Sequence, residues 1–162
     1  MATTTKKQKD ACDLLDADHR AVKKLFNQYE ELMNSRSRNK EQGKRDLANQ
    51  ICMELTVHAQ IEEEIFYPAL RAVFKETDLL AEAEVEHAGA KDLIAQIEAA
   101  GSADEMFDAK VTVLGEYIDH HVKEERNEIF PKARASRKLD LIAMRDALAA
   151  RKEELMAETE AA

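Results

Sequence analysis

The sequence predicts an all-α protein, an antiparallel up-down four-helix bundle with one additional C-terminal helix. Three observations predict it. Apolar residues recur at steps of three and four along most of the chain, the period of one helical face. Only four glycines and two prolines interrupt 162 residues, which are rich in Ala, Glu, Lys, Leu and Arg. The chain also repeats itself once, each half reading as a helical hairpin.

The first stripe runs through Cys12, Leu15, His19, Val22, Phe26, Tyr29 and Met33. The polar stretch over 34–44, with Gly43, reads as a loop. A second stripe follows through Leu47, Ile51, Leu55, His58, Glu62 and Ile65. The third, through Leu80, Ala83, His87, Ala90, Ile94 and Ile97, has Thr77 or Asp78 as its expected cap. Gly101 ends it, and Ser102 with Glu105 forms a capping-box pattern for the next helix. The fourth stripe is Phe107, Val111, Leu114, Ile118, His121 and Glu125. After Pro131 comes a fifth amphipathic segment, Leu139 to Met156, expected to cover one end of the bundle or to help form a dimer. The reading is thus a flexible start over 1–9, a bundle over 10–135 and a C-terminal helix over 138–158.

Charge and composition exclude several function classes. The net charge is −9 with both signs interspersed, so neither nucleic acid nor an anionic membrane is an expected partner. No apolar run is long enough to cross a bilayer, and the polar start has no signal-peptide core. A cytoplasmic location is the expectation. Cys12 and Cys52 lack metal-site spacing and are read as reduced, buried thiols.

The repeat is the most informative feature. His58 lies four residues before Glu62 and ten before Pro68; His121 lies four before Glu125 and ten before Pro131. Histidine and glutamate four apart share a helix face, so both can reach one point in a bundle core. Singly, a histidine on an apolar stripe is most often a hydrogen-bonded core residue, and His-x-x-x-Glu is a common surface pair. As a set, four histidines and two glutamates would occupy the middles of four apolar stripes. Each unpaired polar group there costs about 1–3 kcal/mol, and each carboxylate more. A domain stable by about 5–15 kcal/mol needs a compensating cation. The candidate ligands are therefore His19, His58, Glu62, His87, His121 and Glu125. His120 pairs with Glu124 at the same spacing, but only His121 fits the repeat and the stripe, which leaves His120 at the surface or behind the ligands.

Two imidazoles and two carboxylate oxygens per ion, with a bridging oxygen, leave a position open to a small molecule. Structural zinc sites are closed and four-coordinate. The set favours two iron ions, with manganese next and zinc less.

The segments "DADHR" at His19, "LTVHAQIEEEIFYPAL" at His58 and Glu62, "VEHAGAKDLI" at His87 and "YIDHHVKEERNEIFPKA" at His121 and Glu125 resemble the hemerythrin-like proteins with an HHE cation-binding domain. The likeness covers roughly residues 10 to 135. It implies a four-helix bundle holding an oxo- or hydroxo-bridged di-iron centre. Two departures place the chain nearer the bacterial HHE branch than the oxygen carriers. Lys91 stands where the carriers have a second histidine on the third helix, and Glu125 where they have an aspartate one residue further along. Glu84 or Glu86 could supply a compensating ligand, against the plainer reading of a solvated helix face. Tyr117, one turn before His121, and Glu54, one turn before His58, could orient those imidazoles.

Three functions follow in order. The first is a non-haem di-iron protein that binds or senses oxygen, or handles iron and reactive oxygen or nitrogen species, with a diatomic molecule or peroxide as ligand. The second is a di-iron enzyme that decomposes peroxide. The third is a structural module whose C-terminal helix docks a protein partner or a second copy.

Overall fold

The computed structural model describes residues 8–161, so most of the segment expected to be a flexible start, residues 1–7, lies outside the described residues. Among the described residues every regular element is helical. Helix α1 spans Ala11–Asn34, and its N-terminus is closed by a capping box between Asp10 and Asp13. Helix α2 (Glu41–Ile61) passes through a π turn (Glu62–Phe66) into a short α3 (Tyr67–Arg71). Helix α4 is Asp78–Ala99. The pattern then recurs: α5 (Glu105–Glu124), a second π turn (Glu125–Ile129) and α6 (Phe130–Ala135). Helix α7 (Leu141–Ala161) follows.

Two expectations about helix starts need correction. Helix α2 begins at Glu41, inside the stretch read as a loop. Gly43 is therefore a close-approach residue in its first turn, since a Cβ there would stand 2.9 Å from the Leu32 side chain. Helix α5 is capped by Asp104, whose carboxylate accepts from the Phe107 amide, rather than by Ser102. Thr77 is the N-cap of α4 by position but makes no side-chain capping bond.

The π turns are where the repeat becomes structure. A proline inside a helix cannot donate to the carbonyl four residues back, and its ring collides with it. Here the turn before each proline is widened. The Tyr67 amide donates to the Glu62 carbonyl, and the Phe130 amide to the Glu125 carbonyl, each across five residues. The extra residue shifts the inward face by one position, so Phe66, Tyr67, Ile129 and Phe130 are all buried.

The interior divides in two. One apolar cluster joins Leu15, Ile61, Phe66, Leu70, Leu80 and Phe130 with Met144, Leu148 and Leu155 of α7. The other joins Val22, Tyr29, Ile51, Leu55, Ile94 and Phe107 with their neighbours. Helix α7 thus closes one half of the bundle, packing on α1 and α2. Between the two clusters lies a buried polar layer. Cys12 and Cys52 are free and buried, one on each side of it. No described helix is long and apolar enough to cross a membrane.

Candidate metal centre

Helices α1, α2, α4 and α5 each bring a histidine to the same level because the stripe it interrupts is otherwise core. His19 sits between Leu15 and Val22 on α1, and His58 between Leu55 and Ile61 on α2. His87 sits between Ala83 and Ala90 on α4, and His121 follows Leu114 on α5. Glu62 and Glu125 open the two π turns and are fully buried. All six residues proposed as ligands converge.

The donor atoms form two half-sites. In one, His19 Nε2 lies 3.2 Å from His58 Nε2, and His58 Nε2 lies 3.1 Å from Glu62 Oε1. In the other, His87 Nε2 lies 3.2 Å from His121 Nε2, and His121 Nε2 lies 2.5 Å from Glu125 Oε1. The carboxylates reach across: Glu62 Oε1 is 3.4 Å from His87 Nε2, and Glu125 Oε1 is 4.0 Å from His19 Nε2. Metal–imidazole bonds of about 2.1 Å would put neighbouring donors roughly 3.0–3.4 Å apart. Both Glu62 oxygens and Glu125 Oε2 have no hydrogen-bond partner, although they are buried. Orphaned buried carboxylate oxygens are too costly to leave uncompensated. The donor set fits a metal site.

Outer carboxylates aim three of the four imidazoles. Asp18 Oδ2 is 3.0 Å from His58 Nδ1, and Glu86 Oε2 is 3.2 Å from His121 Nδ1. Asp16 Oδ1 is 3.3 Å from His19 Nδ1. Glu63 Oε1 stands 3.5 Å from His87 Nδ1, which makes no hydrogen bond. A proton held on Nδ1 by such a partner leaves Nε2 free to face the centre. Three of these carboxylates carry a fixed cation on their outer side. Arg126 bonds Asp16, Lys91 bonds Glu63 and Lys152 bonds Asp18. Glu86 differs: Glu124 and His120 offer ligand atoms within 4.8 Å of its own.

Several expectations about supporting residues change. Glu84 is half exposed and pairs with Arg71 at 3.0 Å, so it is not among the clustered side chains. Tyr117 is 50 % exposed, and Glu86 occupies the place at His121 Nδ1 that Tyr117 was expected to fill. Asp18, not Glu54, orients His58. His120 points outward and pairs with Glu124 at 3.1 Å.

Tyr67 is the residue that sequence reasoning missed. Its hydroxyl donates to Glu125 Oε1 at 3.2 Å and lies 3.3 Å from His121 Nε2 and 3.4 Å from His87 Nε2. The signal was its place directly before Pro68, where the second half has Phe130. Phe130 stacks on His19 with ring centroids 6.1 Å apart. One half-site therefore has a hydroxyl and the other a bare ring. Asp18 and Glu86 were also legible as a repeat, each standing directly before a histidine and serving the histidine of the adjacent helix.

In the metal-free chain protons stand in for cations. Burial alone would depress His58 and His121. The neighbouring Glu62 and Asp18 outweigh it at His58 and raise it to about 10. Glu125 and Glu86 do the same at His121, to about 11. Burial, and then the Glu62 charge, push Glu125 up to about 7. Burial, and then the His58 charge, hold His19 down to about 4. At neutral pH, His58 and His121 must each shed a proton before both can act as ligands. Metal loading at neutral pH should thus release about two protons or more per chain, and affinity should climb as pH rises. A pH-indicator dye in weak buffer reads the release; loading without proton release would contradict this account.

Residues 10–133 match the hemerythrin HHE cation-binding domain. A crystal structure of an HHE cation-binding-domain protein from Mycobacterium kansasii superposes with a TM-score of 0.73 at 23 % identity, covering 93 % of this chain and 90 % of that one. At that identity it speaks for the fold alone. A DNA nickase from Nostoc is 30 % identical over 122 residues, 75 % of this chain. The chain spans only 33 % of that relative's length. The match over 10–133, across the segment that carries all six converging side chains, places the chain in the hemerythrin HHE cation-binding domain family.

Proposed function

We propose that this metal-binding protein holds two iron ions and uses them to bind a small oxygen- or nitrogen-derived molecule, oxygen, nitric oxide or peroxide, for sensing or detoxification. The observation that carries the reading is an apolar cavity directly on the polar layer. All four buried histidines line it, and Val22, Leu55, Ala90, Ile94, Ile118 and Val122 form much of the rest of its wall. A purely structural metal site has no use for such a space, since its ligands close around the ion. An apolar wall admits a small neutral molecule and excludes bulk water.

Iron, when bound, supplies a redox-active Lewis acid with a vacant position. The chain's own groups do the rest. Glu62 and Glu125 span the two half-sites. Tyr67 holds a proton beside Glu125, because burial and the two glutamate charges raise its phenol well above its ordinary value. That hydroxyl stands beside His87 and His121 but does not line the cavity, so it acts on the donor set through Glu125 rather than on a molecule in the cavity. Lys91 stands at the cavity edge, bonded to Glu63 at 2.7 Å.

The peroxide-decomposing reading shares this site and differs in turnover. Strand nicking is not carried over from the Nostoc relative, because a net charge of −9 gives no support for a phosphate-binding role. The test is to mix the reduced, iron-loaded chain with oxygen, nitric oxide and peroxide in turn and follow its visible absorption. A saturable change with at least one of them supports the reading, and sustained peroxide loss selects the enzyme. Spectra indifferent to all three would overturn it.

A further inference from the structure

The segment that matches the family ends at residue 133, yet helix α7 (Leu141–Ala161) reaches the metal centre. Its Lys152 donates to Asp18 Oδ1 at 2.5 Å, while Asp18 Oδ2 lies 3.0 Å from His58 Nδ1. We propose that Lys152 is a positioning residue for the metal site: by pinning Asp18 it orients His58, so that the C-terminal helix completes the His19–His58 half-site. The inference rests on the two-ion reading above.

Three facts carry it. Asp18 is only 8 % exposed and has both oxygens engaged, one inward and one outward, so its carboxylate plane is set by Lys152 as much as by His58. The helix that carries Lys152 is itself anchored, although the lysine side chain is 40 % exposed. Met144, Leu148 and Leu155 bury α7 in the core, and the adjacent Arg151 bonds Glu64 of the first π turn at 2.7 Å. Finally, the device belongs to one half only. The cations behind Asp16 and Glu63 are Arg126 and Lys91, both inside the family segment. Glu86, the repeat counterpart of Asp18, stands against Glu124 and His120 where Asp18 has a lysine. A loss at Lys152 should therefore weaken one ion and spare the other.

The test compares full-length wild type with Lys152→Met, Lys152→Arg and, as a control for loosening of α7, Arg151→Met. Outer partners of metal-bound histidines, here Asp18, are typically worth about 10–100-fold in affinity, and Lys152 acts one bond further out. Chelator competition should show Lys152→Met losing about tenfold, the low end of that range, for one of its two ions. Lys152→Arg should restore most of it, and Arg151→Met should stay near wild type. In the metal-free chain, the downfield nitrogen-bound proton of His58 Nδ1, seen by NMR, should persist in wild type and Lys152→Arg and exchange away in Lys152→Met. Unchanged affinity and an unchanged resonance in Lys152→Met would overturn the proposal. So would equal losses in Lys152→Met and Arg151→Met, which would assign the effect to helix docking. A wild type that takes up no metal would instead sink the two-ion reading, and the NMR signal would still decide the link from Lys152 to His58.

Discussion

Replacing Glu62 by leucine should abolish tight metal binding and also make the metal-free protein less stable. The side chain is fully buried, and neither oxygen has a hydrogen-bond partner. Its carboxylate is held well below its ordinary range although burial opposes this, because the His58 charge favours the ionised form. The metal-free fold therefore keeps a buried charge pair. Removing one partner of a buried charge pair costs about 3–5 kcal/mol when the other is left uncompensated. His58 retains Asp18, so the loss is expected at or below the lower end of that range. Denaturant melts of chelated Glu62→Leu should show the loss, and metal titration should show that tight binding is gone. A variant that loads metal like wild type, or whose chelated form is as stable as wild type, would contradict the placement of Glu62 in the site. Glu125→Leu should behave alike, with the added loss of Tyr67's acceptor.

Metal loading should produce the largest thermal shift. Free metal at about a thousand times Kd stabilises a one-site fold by about 4 kcal/mol, and two sites by about twice that. A chain of 162 residues shifts by roughly 2–4 °C per kcal/mol, so a rise on the order of 16–32 °C is expected. The metal-free chain should nevertheless stay helical at room temperature. Apolar clusters flank the polar layer on both sides, and α7 adds Leu148 and Leu155 to one of them. Circular dichroism with and without a chelator reads both effects. Unfolding on metal removal would move the protein to the structural-module reading.

The particular residues show what the sequence could and could not reveal. The histidines and glutamates were legible because each interrupts an apolar stripe of period 3.6, and the two copies check each other. His121 was separable from His120 on that ground, and the structure places the first inside and the second outside. Tyr67 was not legible for a physical reason. Five residues after Glu62, an ordinary helix would turn it about 140° away. Only the π turn returns it to the same face, and the expected inward residue, Ile65, gives way to Phe66. The prolines marked the spot, but their effect on the turn before them is a matter of backbone geometry. Asp18 and Glu86 are marked by the repeat, each directly before a histidine, but the histidine that each one orients lies on another helix, which helical spacing does not report. The role of Lys152 depends on how α7 docks, which no local pattern encodes.

The central claim is that two redox-active ions sit between His19–His58 and His87–His121, bridged by Glu62 and Glu125. It is tested most directly by metal analysis of anaerobically purified protein, with absorption spectra taken before and after exposure to air. The account predicts about two irons per chain and oxo-bridge absorption appearing on exposure. A chain that takes up no iron, or holds zinc alone after loading, would contradict it.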